Sequence, residues 1–428
     1  MIPLNPILES IICRNVFADV SGDADPRCKD ALVQGELSFI RGWQSTFDVI
    51  PGLLTAMPYT LMANEYGRPR VLSLSVLGGS TGLGFVVFIV FICFFYSLFS
   101  PRLIWLGSMF TLIGGGAPVF NTMSFALLGE ATNERQRSTV FFYMNATSIG
   151  SQMVASLLAF TLMRVSPWLC VFCGILLFVP ANLCALFFPE TPRDKAGSGL
   201  PSTAATAQPE DDMGSARGQM RRLTDALVWF VHERLFARVL LYTLLATTVG
   251  RSSQDILLQY VTRRYRWSWA DAILLLSIQS FVTLLLLTII FPAATQFLTQ
   301  LLATPIQITN LYLARISILT SFVGAFVIGL SENAIFMIFG LGLSTLSYGY
   351  QVLVRSLLAS VVDGHHSNVM YTTITLFESM GSIMAGPLLS ASFREGMKWG
   401  EAWLGLPFLL TGVLYGSATV GLLSVGLS

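Results

Sequence analysis

Charge is what this sequence has least of. Asp, Glu, Lys and Arg together make up 11% of its 428 residues, against roughly 25% in soluble domains, and only three of its 25 basic residues are lysine. With a net charge of +1 there is no basic field to hold nucleic acid. Histidine is reduced to His232, His365 and His366, none with a carboxylate or cysteine at ligand spacing, so neither a metal centre nor a cofactor is expected. No Ser/His/Asp or Cys/His constellation supports an enzyme. Of six cysteines, Cys93, Cys170, Cys173 and Cys184 lie in apolar runs, as packing residues do. Cys13 and Cys28 flank a polar stretch and can pair if it faces an oxidising compartment.

What is abundant is apolar length. Hydrophobic residues make up 54% of the chain. Runs long enough to cross about 30 Å of hydrocarbon as helix cover 71–95, 103–128, 138–163, 168–188, 270–298, 316–330, 334–354, 369–393 and 404–427. Two more, 39–63 and 238–261, carry charges whose spacing is helical. That makes eleven full spans in an all-α membrane protein embedded in a lipid bilayer. The opening MIPLNPILESIIC is apolar but too short to cross, and it lacks the basic segment and cleavage site of a signal peptide.

Residues 189–235 differ in kind. Ala, Ser, Gly, Thr and Pro alternate there with both charge signs, which cannot build a core. They read as a linker between an amino-terminal bundle, 1–188, and a carboxy-terminal bundle, 236–428. The halves repeat: Gly150-Ser-x-Met153-x-x-x-Leu157-Leu158 recurs six spans later as Gly381-Ser-x-Met384-x-x-x-Leu388-Leu389, as parallel repeats require. On the same register ILESIICRNV matches SQDILLQYVT, which sets Glu9 opposite Asp255. Roughly fifteen to twenty residues of a first helix are then expected to be missing ahead of Met1.

These features resemble the major facilitator superfamily: two six-helix halves, a long central stretch, PET at Pro189–Thr191 and ANEYGRPRV between the second and third spans. The nearest likeness is to a fungal branch related in pattern to proton-coupled folate transporters. It rests on CKDALVQGEL, GWQSTFDVIPG, IGGGAPVFN, GRSSQDILLQYV and WLGLPF from Trp403. The resemblance implies a major facilitator fold, alternating access and efflux of a small organic solute, with protons as coupling ion, in a monomer of the cell membrane or a vacuolar membrane. Uptake of a nutrient, or a non-transporting sensor on the same scaffold, stays open. Departures stand beside the likeness. The superfamily loop motif is reduced to Thr60, Asn64, Glu65, Gly67, Arg68 and Pro69, and Thr111 stands where many proton-coupled members carry arginine.

A charge near the bilayer centre costs at least ~2.5 kcal/mol on insertion scales, so each one kept there needs a partner, a watery cavity or a function. Glu378 is the sole charge between Val369 and Arg394, and it reads as a coupling carboxylate or a buried hydrogen-bonded Glu. Arg251, Gln254 and Asp255 share a helix face, with Arg251 and Asp255 spaced for an intrahelical pair. Arg41, Gln44 and Asp48 share another. Both stripes suit substrate contact or an outer gate. Asn121, Asn145, Gln152 and Gln279 are polar positions that serve as ligands or as interhelical glue. Asn64, Gly67, Arg68, Arg70, Glu130, Arg135 and Arg137, with Arg355 and Asp363 in the second half, fall in inner-side loops and resemble charged gating latches.

Overall fold

Without water to satisfy backbone groups in hydrocarbon, a chain this apolar has to hydrogen-bond internally, and helix is the open-chain way to do so. The computed structural model describes residues 3–17, 25–96, 99–131, 134–187, 235–290, 306–361 and 367–424, with isolated positions between 293 and 297. The described residues are helical almost throughout and contain no strand. Nine helices among them are long and apolar enough to cross a membrane. Most of the 189–235 stretch lies outside the described residues.

The helices run α1 (Leu4–Val16), α2 (Ala31–Tyr66), α3 (Arg68–Tyr96), a 3-10 segment (Pro101–Leu112), α4 (Gly116–Ala131), α5 (Glu134–Val165) and α6 (Pro167–Leu186). After 234 come α7 (Leu235–Arg251), α8 (Gln254–Arg264), α9 (Trp269–Leu285), α10 (Ile306–Leu330), α11 (Ala334–Thr345), α12 (Ser347–Val361), α13 (Ser367–Trp399) and α14 (Leu406–Ser424). Two compact units emerge. One holds Met1–Ala196, Gln254–Ser280 and Ile383–Leu404; the other holds Gly197–Ser253, Phe281–Ser382 and Gly405–Ser428.

In the first unit, α2 is the organising element. Asp30 caps it by accepting from the Ala31 N–H at 2.7 Å, and its 36 residues correspond to about 54 Å of helix. It ends at Gly67, whose φ of +94° favours glycine and whose N–H returns to the Ala63 carbonyl. Gly42 lets α2 meet α13 backbone to backbone: a Cβ there would sit 2.6 Å from the Gly386 carbonyl. Thr46 donates across the same contact to the Ile383 carbonyl at 2.9 Å.

The expected span 103–128 is interrupted. The 3-10 segment gives way to α4 through Gly114, Gly115 and Gly116, all at positive φ, and a Cβ on Gly114 would lie 2.2 Å from the Leu74 carbonyl. The helix breaks because that close approach needs glycine. Its loose backbone ends are taken up by one side chain: the Tyr59 hydroxyl donates to the Leu112 carbonyl (2.8 Å) and accepts from the Gly114 N–H (2.7 Å). The span 334–354 is likewise two helices, α11 and α12, meeting at Leu346.

The second unit packs α7, α10, α12 and α14 around Leu240, Leu244, Tyr350, Leu357 and Ala418, all buried. Tyr350 is placed by its hydroxyl, which donates to Thr243 at 2.6 Å. Gly329 and Gly405 bring α10 against the start of α14, where a Cβ on Gly405 would meet the Gly329 carbonyl at 1.9 Å.

Candidate functional site

Three polar clusters stand out from the apolar helices. The first follows α2 in the first unit, where spacing at i, i+3 and i+7 puts Arg41, Gln44 and Asp48 on one face. Arg41 donates to the Gln44 side-chain oxygen at 2.7 Å, and Asp48 accepts a short bond from Ser108 of the 3-10 segment. Arg41 lies within electrostatic reach of both Asp48 and Asp255. The expected stripe therefore forms, and Ser108 joins it. Nothing in the spacing of α2 points to Ser108, which comes from another span.

The second cluster belongs to the second unit and is built by α12. Tyr348, Gln351 and Arg355 share its face at the same i, i+3, i+7 interval. Arg355 reaches both oxygens of Glu378 on α13 through one nitrogen, each at 2.8 Å. This corrects the expectation that Arg355 lies in an inner-side loop: it is inside α12, which continues past the end of the apolar run at Val354. Arg251, at the end of α7, donates to Gln351 at 2.6 Å and lies 4.4 Å over the Tyr348 ring. The expected single helix over 238–261 is broken at Ser252 and Ser253. Arg251 therefore ends α7, and Asp255 stands in the first turn of α8. Its carboxylate there complements the helix dipole, and half-buried Gln254 precedes it.

The third cluster centres on Glu9, buried in α1. Lys29 donates to it at 2.9 Å, Trp269 of α9 at 2.5 Å, and Gln34 of α2 by a short bond. Gln259 of α8 extends the network, donating to the Gln34 carbonyl at 2.7 Å and to its side-chain oxygen at 3.0 Å. The loop that delivers Lys29 is anchored by a Cys13–Cys28 disulfide with Cα atoms 5.1 Å apart, so the expected pairing is present. In that loop Arg27 donates from backbone and side chain to Asp25 and holds its carboxyl below the usual carboxylate range. α1 and α2 are thus tied to α8 and α9 from much later in the chain. From sequence alone Glu9 serves only to set register, because its partners lie up to 260 positions away.

The remaining expected positions are scattered. Asn121 and Gln152 are exposed, whereas Gln279 is buried. The side chains of Asn64, Glu130, Arg135, Arg137 and Asn145, and the whole of Asp363, lie outside the described residues. Gly67 forms the α2 cap, and Arg68 and Arg70 open α3 beside it. Among the described residues no group of three or more His, Cys, Asp or Glu is placed to hold a metal.

Comparison with known proteins agrees with this architecture. The sequence model of the Major Facilitator Superfamily matches residues 38–386. The MFS efflux pump atnC of Emericella nidulans is 30% identical, over 98% of this chain and 83% of that protein. The efflux pump ustT of Aspergillus flavus is 28% identical, over 93% and 79%. Among solved structures, the nucleoside transporter NupG superposes with a TM-score of 0.62 at 12% identity, covering 99% of this chain and 97% of the other. A D-xylose-proton symporter does so at 0.59 and 14% identity, covering 98% of this chain and 97% of the other.

Proposed function

Because the chain belongs to the major facilitator superfamily, and is therefore a multi-pass membrane transporter of solutes, we propose that it exports a small organic metabolite by alternating access. The halves 1–188 and 236–428 are the moving repeats and 189–235 their cytoplasmic linker. One chain supplies both repeats that the mechanism needs, so the working unit is a monomer. The export direction draws on the likeness to two fungal efflux pumps.

The disulfide supports one orientation of the molecule. A stable Cys13–Cys28 bond belongs to an oxidising compartment, so the loop between α1 and α2 faces outside or a lumen. Five crossings later, after α6, the chain stands on the cytoplasmic side. The Glu9 network then closes the outer end of the first unit. It must come apart in the other access state, and the three donors on one carboxylate make it a discrete latch instead of a gradual one.

The observation that carries the reading is the Arg355–Glu378 pair at 2.8 Å, an ion pair inside two membrane helices where charge is costly without a function. In this reading Glu378 exchanges Arg355 for a proton during the cycle, and the Arg41, Gln44, Asp48 stripe and Arg251, Gln254, Asp255 contact solute. Asn121, Asn145, Gln152 and Gln279 are proposed as further polar contacts. Asn64, Gly67, Arg68, Arg70, Glu130, Arg135, Arg137 and Asp363 are proposed as inner latches. The test is transport in proteoliposomes by Glu378→Gln, which should lose dependence on a pH gradient while solute binding stays measurable. Full gradient dependence in the variant overturns the coupling role. Binding without any counterflow by the native chain would instead support a sensor.

A further inference from the structure

Phe39, Trp43 and Phe47 recur every fourth residue on α2 and so form one aromatic stripe. Trp105 of the 3-10 segment packs against it, with ring centroids 6.0 Å from Phe39 and 5.6 Å from Phe47. Its indole N–H is spent on the Ile40 carbonyl at 3.0 Å, which fixes the ring. All three stripe residues are only partly buried. Rings of this kind at a membrane boundary sit at headgroup level.

Two arginines converge on the first of these rings. Arg102 lies 5.6 Å and Arg394 of α13 lies 5.5 Å from the Phe39 centroid. Gly35 of α2 lies beside the Arg394 side chain, which a Cβ there would meet at an ordinary contact distance of 3.6 Å. Two guanidinium groups on one small ring repel each other, and the available carboxylates balance only one of them. Glu36 pairs with Arg102 at 2.8 Å, while Glu395, the neighbour of Arg394, is taken by Lys398 at 2.6 Å. Arg394 has no ion pair among the described residues, and it is exposed. It stands five residues before Trp399, which meets Trp403 edge-on at 5.4 Å, a second aromatic anchor of the same boundary.

An uncompensated, forked cation above an open aromatic surface fits an anion that carries its own apolar body. Arginine binds phosphate through two parallel bonds, and partly exposed rings offer acyl chains a face. We propose that Phe39, Arg102 and Arg394 seat the phosphate of a phospholipid in the leaflet on the disulfide-bearing side, with Trp43, Phe47 and Trp105 against its chains. The lipid would join α2 to α13 beside the Gly42–Gly386 contact, and so hold together two elements from opposite halves of the sequence.

The test is native mass spectrometry of the full chain, delipidated and then titrated with phosphatidylglycerol, with a phosphate-free galactosyl diacylglycerol, and with inorganic phosphate as competitor. Native protein should retain one phosphatidylglycerol. Arg394→Gln should bind it about tenfold more weakly, the scale of one charge-assisted contact. Arg394→Lys, which keeps charge but not the fork, should fall between and guards against a Gln variant that fails to fold. Arg164→Gln, which removes a different exposed pair at 3.3 Å from Asp271, should bind as native does. Equal lipid retention by Arg394→Gln overturns the proposal, as does galactolipid binding as tight as phosphatidylglycerol. Displacement of the lipid by inorganic phosphate at millimolar concentration also overturns it, by revealing a free-anion site.

Discussion

Trp269 donates its indole N–H to Glu9 across 260 positions of sequence. With Lys29 and Gln34 on the same carboxylate, this bond makes Glu9 the point where the start of the chain is held by its second half. Glu9 is 7% exposed at the side chain and Lys29 30%, so the pair is shielded on one side only.

Glu9→Gln keeps an acceptor for Trp269 but leaves the Lys29 ammonium without its counter-charge. Removing one partner of a well-buried pair costs ~3–5 kcal/mol, and the partial exposure of Lys29 brings the expectation down to ~2 kcal/mol. Hydrogen exchange at residues 25–35 should accelerate, and the melting temperature should fall by several degrees. Exchange unchanged in that segment would remove Glu9 from the gate.

The Cys13–Cys28 bond closes a loop of 15 positions, which in the chain-entropy account contributes about 3 kcal/mol. Cys13→Ser with Cys28→Ser should therefore destabilise the first unit more than the second. In sealed cells an Arg27→Cys variant, at an exposed position of the same loop, should be labelled by an impermeant maleimide from outside. Labelling from the cytoplasmic face instead would invert the proposed orientation.

Asp25 gives this loop a pH response. Its carboxyl is held below the usual carboxylate range by Arg27, chiefly through the side-chain hydrogen bond. A lowered value means the contribution is complete above the ordinary carboxylate range, about pH 4, and is lost as pH falls through the lowered value. The protection of the Arg27 amide, which donates to Asp25 at 2.8 Å, taken relative to its intrinsic exchange rate at each pH, should stay flat from pH 8 to about 5 and fall only in stronger acid. Asp25→Asn should flatten the profile.

Tyr59 tests how the helix break is held. Tyr59→Phe removes the partner of both Leu112 and Gly114, and two stranded backbone groups in a membrane helix cost ~1–3 kcal/mol each. Gly114→Ala meets the Leu74 carbonyl and a φ of +87° together, so it should be the more damaging change. Thermal melts of the two variants give the order directly.

The apolar runs and the two charged spans are legible in the sequence because hydrocarbon thickness imposes one length on every crossing. The breaks are not. Ser252 and Ser253 interrupt a helix whose flanking residues keep helical spacing, and the glycines at 114–116 sit inside an apolar run whose length alone reads as one span. Arg355 is misplaced by sequence reading because a charge after an apolar run looks like a boundary. Yet Tyr348, Gln351 and Arg355 repeat the interval of Arg41, Gln44 and Asp48, a signal present in the sequence. Glu9 could not be read, since a buried carboxylate is interpretable only with its partners, and these come from the loop before α2, from α2 and from α9.

Arg355 and Glu378 allow structure and coupling to be separated. The Arg355 side chain is 46% exposed and that of Glu378 19%, so losing one partner should cost only ~1–2 kcal/mol, less than a fully buried pair. Glu378→Gln alone and Arg355→Gln alone should each lower stability, and the double variant should recover part of the loss, because no charge is left unmatched. If the pair only ties α12 to α13, the double variant should also recover pH-driven transport. If Glu378 carries the coupling proton, transport in the double variant should stay independent of the gradient despite restored stability. Melting temperature and gradient-driven flux, measured on the same four proteins, decide between the two roles.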